Sequence, residues 1–515
     1  MELNLRSISA CDFQKHMHTH STVDADVIVP DSKPDIFRVL AVKAYADMSE
    51  RYMRNDKIIY SGNVRFNIIY VGEIDKRHIH SIEYVAPFNY QAEAPGIDEQ
   101  CMGMTSCCVE KTDFHIKNSR KLSVGALLGF DTMVIKQHEI SAVESVQGED
   151  SVPVRYSDYE FDCVKVCKEF ELQLSDGFAI PVDVGSDAEV CGVDIRMEIP
   201  EIKTVNNKAV VRGNGRFTTL CVSSGEISSY ENELSFTEIF DTDGVTSDMS
   251  VSMHFEVADC SYSVDASGEE IMLDVDYKLR GYICAFEHTT ARFADDMYDP
   301  DYSFEKKSTG ALLMQNCGPF NFQTTLKDSA SPSDPESEIK EVYFMNAVCE
   351  YGDSNVNGSK VFCNLTVHSD YIYIDSSDCL ANIRRSFPVK LEIPIDSDID
   401  GDVCTNVIIT NFGYTLSSAT EIQSRIVLKA QVTVSDAKRV ELITDFSSDL
   451  NSPIDKTNQP SIVVCYPSCS ETLWSIARKH NTTSLAIAQI NGLDADAPAP
   501  AGKPVIIPKR KLPDA

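Results

Sequence analysis

A chain of 515 residues with 43% hydrophobic and 24% charged residues is too apolar for a disordered polypeptide and long enough for three or four domains with cores of their own. The formal charge of −33 lies ahead of the C-terminal end: residues 461–515 hold six Lys or Arg and four Asp or Glu, which leaves about −35 for the rest. A body that acidic repels nucleic acid and anionic lipid, and the short Lys509-Arg510-Lys511 tail does not reverse that.

The first residues, MELNLRSISACDFQKH, show no cationic stretch followed by an apolar run, and no stretch approaches the ~18 consecutive apolar residues of a membrane span. The expectation is a cytoplasmic protein without a transmembrane segment. The cysteines, 17 in number, are odd and scattered, and Cys221, Cys284 and Cys363 sit inside strand-like runs, so they read as buried thiols. Cys163 with Cys167, and Cys465 with Cys469, lack a second pair at zinc-ligand spacing. His16, His18 and His20 alternate, which on a strand would put three imidazoles on one face, close enough for a metal. No glutamate or further histidine cluster at plausible ligand spacing supports them, and Asp24 and Asp26 continue the alternation as solvent-facing residues do. The reading is no metal and no cofactor.

Further along, Val29-Pro30-Asp31 and Lys33-Pro34-Asp35 hold an extended segment, and Asp35 can cap a helix-like stretch Ile36 to Leu40. The run DKIIYSGNVRFNIIYV, residues 56–71, recurs as NKAVVRGNGRFTTLCV at 207–222, with six identities in sixteen positions. A fainter copy, SKVFCNLTVHSDYIYI, begins at Ser359 and has Leu365 where the others have Gly62 and Gly213. A period of about 150 residues fits tandem domains rather than a solenoid. Each copy reads as β-rich, with further strand-like runs at Ser81 to Phe88, Lys121 to Leu128, Met249 to Cys260, Glu270 to Leu279, Val403 to Thr410 and Ser424 to Val432. Turns at Ala94 to Asp98, Asp241 to Gly244 and Asp396 to Gly401 separate them. The acidic turns lack the ligand spacing of an EF-hand and read as solvated loops.

The Pro-Asp and Lys-Pro-Asp opening, the Gly62 run ending in Tyr70-Val71, Pro87-Phe88 and Ser119-Arg120-Lys121-Leu122 together resemble the SPOCS domain of spore-coat-associated proteins. The second and third copies keep less of that pattern. The fold class expected is mainly β: three tandem β-rich, sandwich- or barrel-like domains at residues 1–145, 146–297 and 298–445, then a linker at 446–460 and a small α+β (βααβ) module at 461–510.

That last module begins with a strand-like run, Ile462 to Tyr466, stopped by Pro467. Ser470 or Thr472 can cap a helix whose Leu473, Trp474, Ile476 and Ala477 share one side, ending near Asn481. A second helix starts around Thr483 or Ser484 with Leu485, Ile487, Ala488 and Ile490 inward, and Asn491-Gly492 closes it. Val505 to Ile507 form the second strand. This order and spacing resembles a LysM domain. Family members usually carry Gly-Asp where this chain has Ser470 and Glu471, which puts glycan binding in question. The resemblance implies that ligands meet two loops, Ser470, Glu471, Thr472 and Leu473 on one side and Gly492, Leu493, Asp494, Ala495 and Asp496 on the other. Trp474, the only tryptophan, reads as core. The polar composition of 446–460 predicts a module that moves semi-independently.

Tandem SPOCS-like domains closed by one LysM domain resemble SipL-type spore morphogenesis proteins. The resemblance implies a non-catalytic scaffold, made in the mother cell and peripheral to the forespore outer membrane. It would tether the coat's basement-layer ATPase through the LysM module. Peptidoglycan, an N-acetylglucosamine polymer, is the alternative ligand. No nucleophile elbow, phosphate-cradling loop, dinucleotide fingerprint or His-Glu-x-x-His helix points to an enzyme.

Overall fold

The computed structural model describes the chain except residues 75–77, 148–151, 182–188, 224–225, 266–270, 396–400, 458–459, 461, 496 and 509–515. Asp496, the basic tail and most of the Asp396 to Gly401 turn therefore lie outside the described residues.

The chain is mainly β, and its described residues hold three successive runs of six strands each. The first holds β1 (Glu2–Ile28), β2 (Ile36–Arg54), β3 (Lys57–Gly72), β4 (Ile79–Glu93), β5 (Met102–Asn118) and β6 (Lys121–Gln147). The second holds β7 (Val154–Ile180), β8 (Glu189–Val205), β9 (Lys208–Ser223), β10 (Glu226–Asp241), β11 (Ser250–Asp265) and β12 (Ile271–Met297). The third holds β13 (Tyr302–Ala330), β14 (Ile339–Asn357), β15 (Lys360–Asp375), β16 (Leu380–Pro394), β17 (Asp402–Ser418) and β18 (Glu421–Pro453). In every run the second, third and fourth strands form one antiparallel sheet, while the sixth strand pairs with both the first and the fifth. Residues from both sheets meet in one core per unit, for example Tyr60 and Phe66 against Leu122 and Phe130, which makes each unit a β-sandwich.

The repeated sequence run is the middle strand of each three-stranded sheet. Along β3, Ile58, Tyr60, Val64 and Phe66 point inward in strict alternation, and from Ile68 to Gly72 both faces are covered. The apolar ends of these strands are double-sided because they meet at the centre of the molecule. Ile69 and Val71, Leu220 and Val222, and Ile372 share one core cluster drawn from all three units. Around that centre the units close cyclically: β2 packs on β11, β8 on β17 and β14 on β5.

At the centre of the middle strands, Gly62 lies opposite Phe88 and Gly213 opposite Phe236, whereas Leu365 lies opposite Val389. A Cβ on Gly213 would come within 2.1 Å of the Phe236 ring. The aromatic ring fills the space that the glycine vacates, and in the third unit a leucine and a smaller partner fill it instead.

Several sequence expectations give way here. Ile36 to Leu40 is the start of β2, because β3 supplies its pairing and two bulges, between Ile36 and Arg38 and between Val39 and Ala41, accommodate its curvature. The residues read as linker are strand as far as Pro453, paired with β13, and Phe446 is buried against Phe304. Cys167 and Cys284, opposite one another on β7 and β12, are joined as a disulfide, whereas Cys221 and Cys363 are buried free thiols.

Candidate binding module and its seat

The C-terminal module is built from β19 (Ile462–Cys465), α1 (Leu473–Lys479), α2 (Ser484–Asn491) and β20 (Val505–Pro508), with the two strands antiparallel. Thr472 caps α1: its hydroxyl accepts from the Ser475 N–H, and the Ser475 hydroxyl in turn accepts from the Thr472 N–H. Thr483 caps α2, and Gly492 closes it in the left-handed region at φ 63°. Glycine is needed there because a side chain disfavours that conformation. Leu473, Ile476, Ala477, Ile487, Ala488, Val505 and Ile507 make a compact core. Leu485 and Ile490 do not join it; they are exposed.

The expected ligand loops divide into surface and core. Leu473 is buried in the module core and faces no ligand. Ser470, Thr472, Gly492 and Asp494 are exposed, while Glu471, Leu493 and Ala495 are partly covered. A backbone bridge between Thr472 and Pro498 ties the two loops together. In place of the usual Gly-Asp, the turn closes on itself: the Glu471 carboxylate accepts from the Ser468 N–H at 2.8 Å, and the Glu471 N–H donates to the Ser468 carbonyl at 3.3 Å. The Ser468 N–H is also what holds the Glu471 carboxyl below its ordinary range.

Trp474 is not part of the module core. It leaves the module and packs on the junction of the second and third units. Its indole N–H donates to Asp296 Oδ2 at 2.8 Å, its ring meets Tyr298 edge-on at 5.1 Å, and the Arg155 guanidinium lies 5.6 Å from the ring centre. Arg478, one helical turn on, reaches both oxygens of the same carboxylate at 3.0 and 3.1 Å, and Lys306 Nζ sits 2.9 Å away. Burial alone would raise the Asp296 carboxyl, yet the indole, Lys306 and Arg478 keep it below its ordinary range. The buried Tyr298 hydroxyl donates to the Thr482 carbonyl at 2.8 Å, and the chain leading to the module is held by a buried Lys456–Asp301 pair at 2.7 Å. The module is seated by an aromatic, a carboxylate and an ion pair rather than hung on a free linker.

A second polar region lies on the central axis. A cavity of about 410 Å³ is lined from all three units. Beside it Lys43 pairs with Asp194 at 3.0 Å, and Arg196 lies over the Phe412 ring at 3.8 Å. Glu256 faces this cavity, and burial pushes its carboxyl up to about 7. Elsewhere His16 Nε2 lies 2.6 Å from Asp131 and 3.2 Å from Cys404 Sγ, and His254 Nε2 lies 4.0 Å from the same sulfur. Burial would raise the Cys404 thiol, but the two imidazoles bring it down to about 6. The sequence pattern marks His16 but not its partners, since the members of this cluster are up to 388 residues apart.

Compared with known families, residues 35–117 and 188–265 match the SPOCS domain of SipL, and residues 470–508 match the LysM domain. The SPOCS matches run from β2 to β5 in the first unit and from β8 to β11 in the second. No curated protein and no solved structure matches the chain. Both matched families are binding domains rather than catalytic ones. Among the described residues, no helix is long and apolar enough to cross a membrane.

Proposed function

We propose that this SipL-type chain of SPOCS domains and a C-terminal LysM domain is a non-catalytic scaffold of endospore coat assembly, which tethers the coat's basement-layer ATPase to the forespore surface through its LysM module. The observation that carries this reading is the seat of the module. Because Trp474, Arg478 and Thr482 fasten it to the second and third units, a partner held by the module is held by the whole β body, as a tether requires. The turn at Ser470 and Glu471 supports it from the ligand side. Ser470 stands where relatives keep a glycine that shapes the wall of a sugar groove, and the Glu471 carboxylate beside it is already engaged within its own turn.

Peptidoglycan is the second reading, and the intact LysM fold with its Gly492 cap favours it. Full-length protein is incubated with the immobilised ATPase and, separately, with insoluble peptidoglycan. Retention on the ATPase supports the tether; retention on glycan alone overturns it in favour of a cell-wall binder.

A further inference from the structure

We propose that His18, His20 and Glu110 form a binding site for a zinc-class divalent cation, placed on the seam between the first and third units. His18 and His20 lie two apart on β1 and so share one face of it. Their Nε2 atoms are 3.3 Å from one another, and they lie 3.0 Å and 2.8 Å from the two oxygens of Glu110. Donors on four-coordinate zinc, with bonds of ~2.0–2.1 Å, stand about 3.3 Å apart, and two imidazoles with one carboxylate are a donor set that zinc takes. Glu110 is nearly fully buried, with 2% of its side chain exposed, so its charge demands a partner.

The site is assembled by two departures from a regular sheet. Glu110 is on β5, and β6 runs between it and the histidines. The carboxylate crosses that strand because the intervening residue is Gly129, opposite His20; a Cβ there would lie 2.2 Å from Glu110 Oε1. Glu110 is also the extra residue of a β-bulge, between Val109 and Lys111, and a bulge re-aims its side chain.

The other two units are internal controls. The same bulge recurs between Val257 and Asp259 and between Ile409 and Asn411, and the residues it carries there are Ala258 and Thr410. The counterparts of Gly129 are Arg280 and Lys429; those of His20 are Glu171 and Gln323, and those of His18 are Glu169 and Asn321. The fold is built twice without the constellation, so packing does not require it. In the first unit it joins the third through Tyr351 of β14, whose N–H donates to Glu110 Oε2 at 3.3 Å and whose ring lies 4.4 Å from His18. A similar trio, His78, His80 and Glu189, carries less, because Lys33 already occupies its carboxylate at 3.2 Å.

The test uses the full-length protein, stripped with a chelator and loaded with Zn²⁺ alone or Co²⁺ alone. Two variants accompany it, Glu110→Ala and His20→Gln, which copy residues that the second and third units already fold with. The wild type is expected to hold one more equivalent of zinc than either variant in competition with a chromophoric chelator, with affinity at that site reduced at least about tenfold by either change. The cobalt difference spectrum, wild type minus variant, is expected to show ligand-field bands without thiolate charge transfer. Equal zinc uptake in wild type and variants of unchanged circular dichroism overturns the site and leaves an imidazole–carboxylate cluster. If a variant does not fold, the wild-type cobalt spectrum decides, and one without bands from nitrogen and oxygen ligands overturns it as well.

Discussion

The first and third units solve one packing problem in opposite ways. Midway along the central strand, the first unit sets Gly62 under the ring of Phe88, and the third sets Leu365 against Val389. The two share strand order and bulge positions: β2 shifts register at Ile36/Arg38, Val39/Ala41 and Met48/Glu50, and β14 at Ile339/Glu341, Val342/Phe344 and Tyr351/Asp353. Strand register is therefore kept while side-chain volume moves from one strand to its neighbour. Where side chains crowd the position, packing specifies the volume of the pair rather than the residue at either position; where backbone crowds it, as at Gly62, the glycine itself is required.

The most severe way to break that relation is Gly62→Leu, because an added Cβ would stand 2.2 Å from the Asp47 carbonyl as well as 2.8 Å from the Phe88 ring. A backbone atom cannot move aside cheaply, so the loss is expected to exceed about 4 kcal/mol, seen as collapse of the urea midpoint, and Phe88→Val should not restore it. Gly213 sharpens the comparison, since the three atoms nearest an added Cβ all belong to the Phe236 ring. Gly213→Leu alone is expected to cost about 3 kcal/mol, and the double change Gly213→Leu/Phe236→Val should recover most of it. A double variant no better than the single one would sink the pair-volume account. Leu365→Ala, in the third unit, should lose about 2–3 kcal/mol, at the lower end for a buried leucine, if the neighbours partly close the space.

This exchange also explains how much of the protein could be read beforehand. The repeat is visible at Gly62 and Gly213 and faint at Leu365, because the third unit keeps the lysine and the apolar spacing and loses the Gly-Asn and Arg-Phe pairs. The caps at Thr472, Thr483 and Gly492 were legible because their chemistry is local to one turn. Ile36 to Leu40 looked helical because nothing local announces the pairing with β3. Phe446 to Pro453 looked like linker because polar residues dominate it, although β13 supplies its hydrogen bonds. Trp474 reads as module core because helix periodicity shows that a face is covered, not by which part of the chain. The alternation of His18 and His20 is legible but their third partner is not, since Glu110 lies 90 residues from His20 and the bulge and Gly129 bring it across.

A smaller effect tests the centre where the units meet. The Glu256 carboxyl has an ordinary value of 4.5 and is pushed up to about 7 by burial, with Asp131 and Glu110 adding repulsion and His254 opposing it. A raised acid binds its proton more tightly when folded, so its contribution is complete below pH 4.5 and is lost as pH rises through 7. Glu256→Gln should leave stability near pH 4 almost unchanged and raise it by on the order of 2 kcal/mol above pH 8. Chemical denaturation at several pH values reads this directly, and a gain independent of pH would show that packing, not charge, was relieved.

The smallest effect contrasts the body with the module it carries. Trp474 spends its indole on Asp296, Tyr298 and Arg155, all outside the module, whereas Leu473, Ile476 and Ala477 of the same helix hold the module core. Trp474→Ala is therefore expected to weaken the seat by about 1–2 kcal/mol and to leave the melting of the isolated module nearly unchanged. Asp296→Asn should act in the same direction, because the amide keeps a partner for the indole but loses the charge that Arg478 and Lys306 share. Limited proteolysis after residue 453 is the readout, and cleavage there is expected to quicken as the seat weakens, next to the buried Lys456–Asp301 pair. If Trp474→Ala instead melted the isolated module, the indole would belong to that core after all. If cleavage stayed slow in both variants, the Lys456–Asp301 pair rather than the indole would be the fastening that couples a LysM-bound partner to the β body.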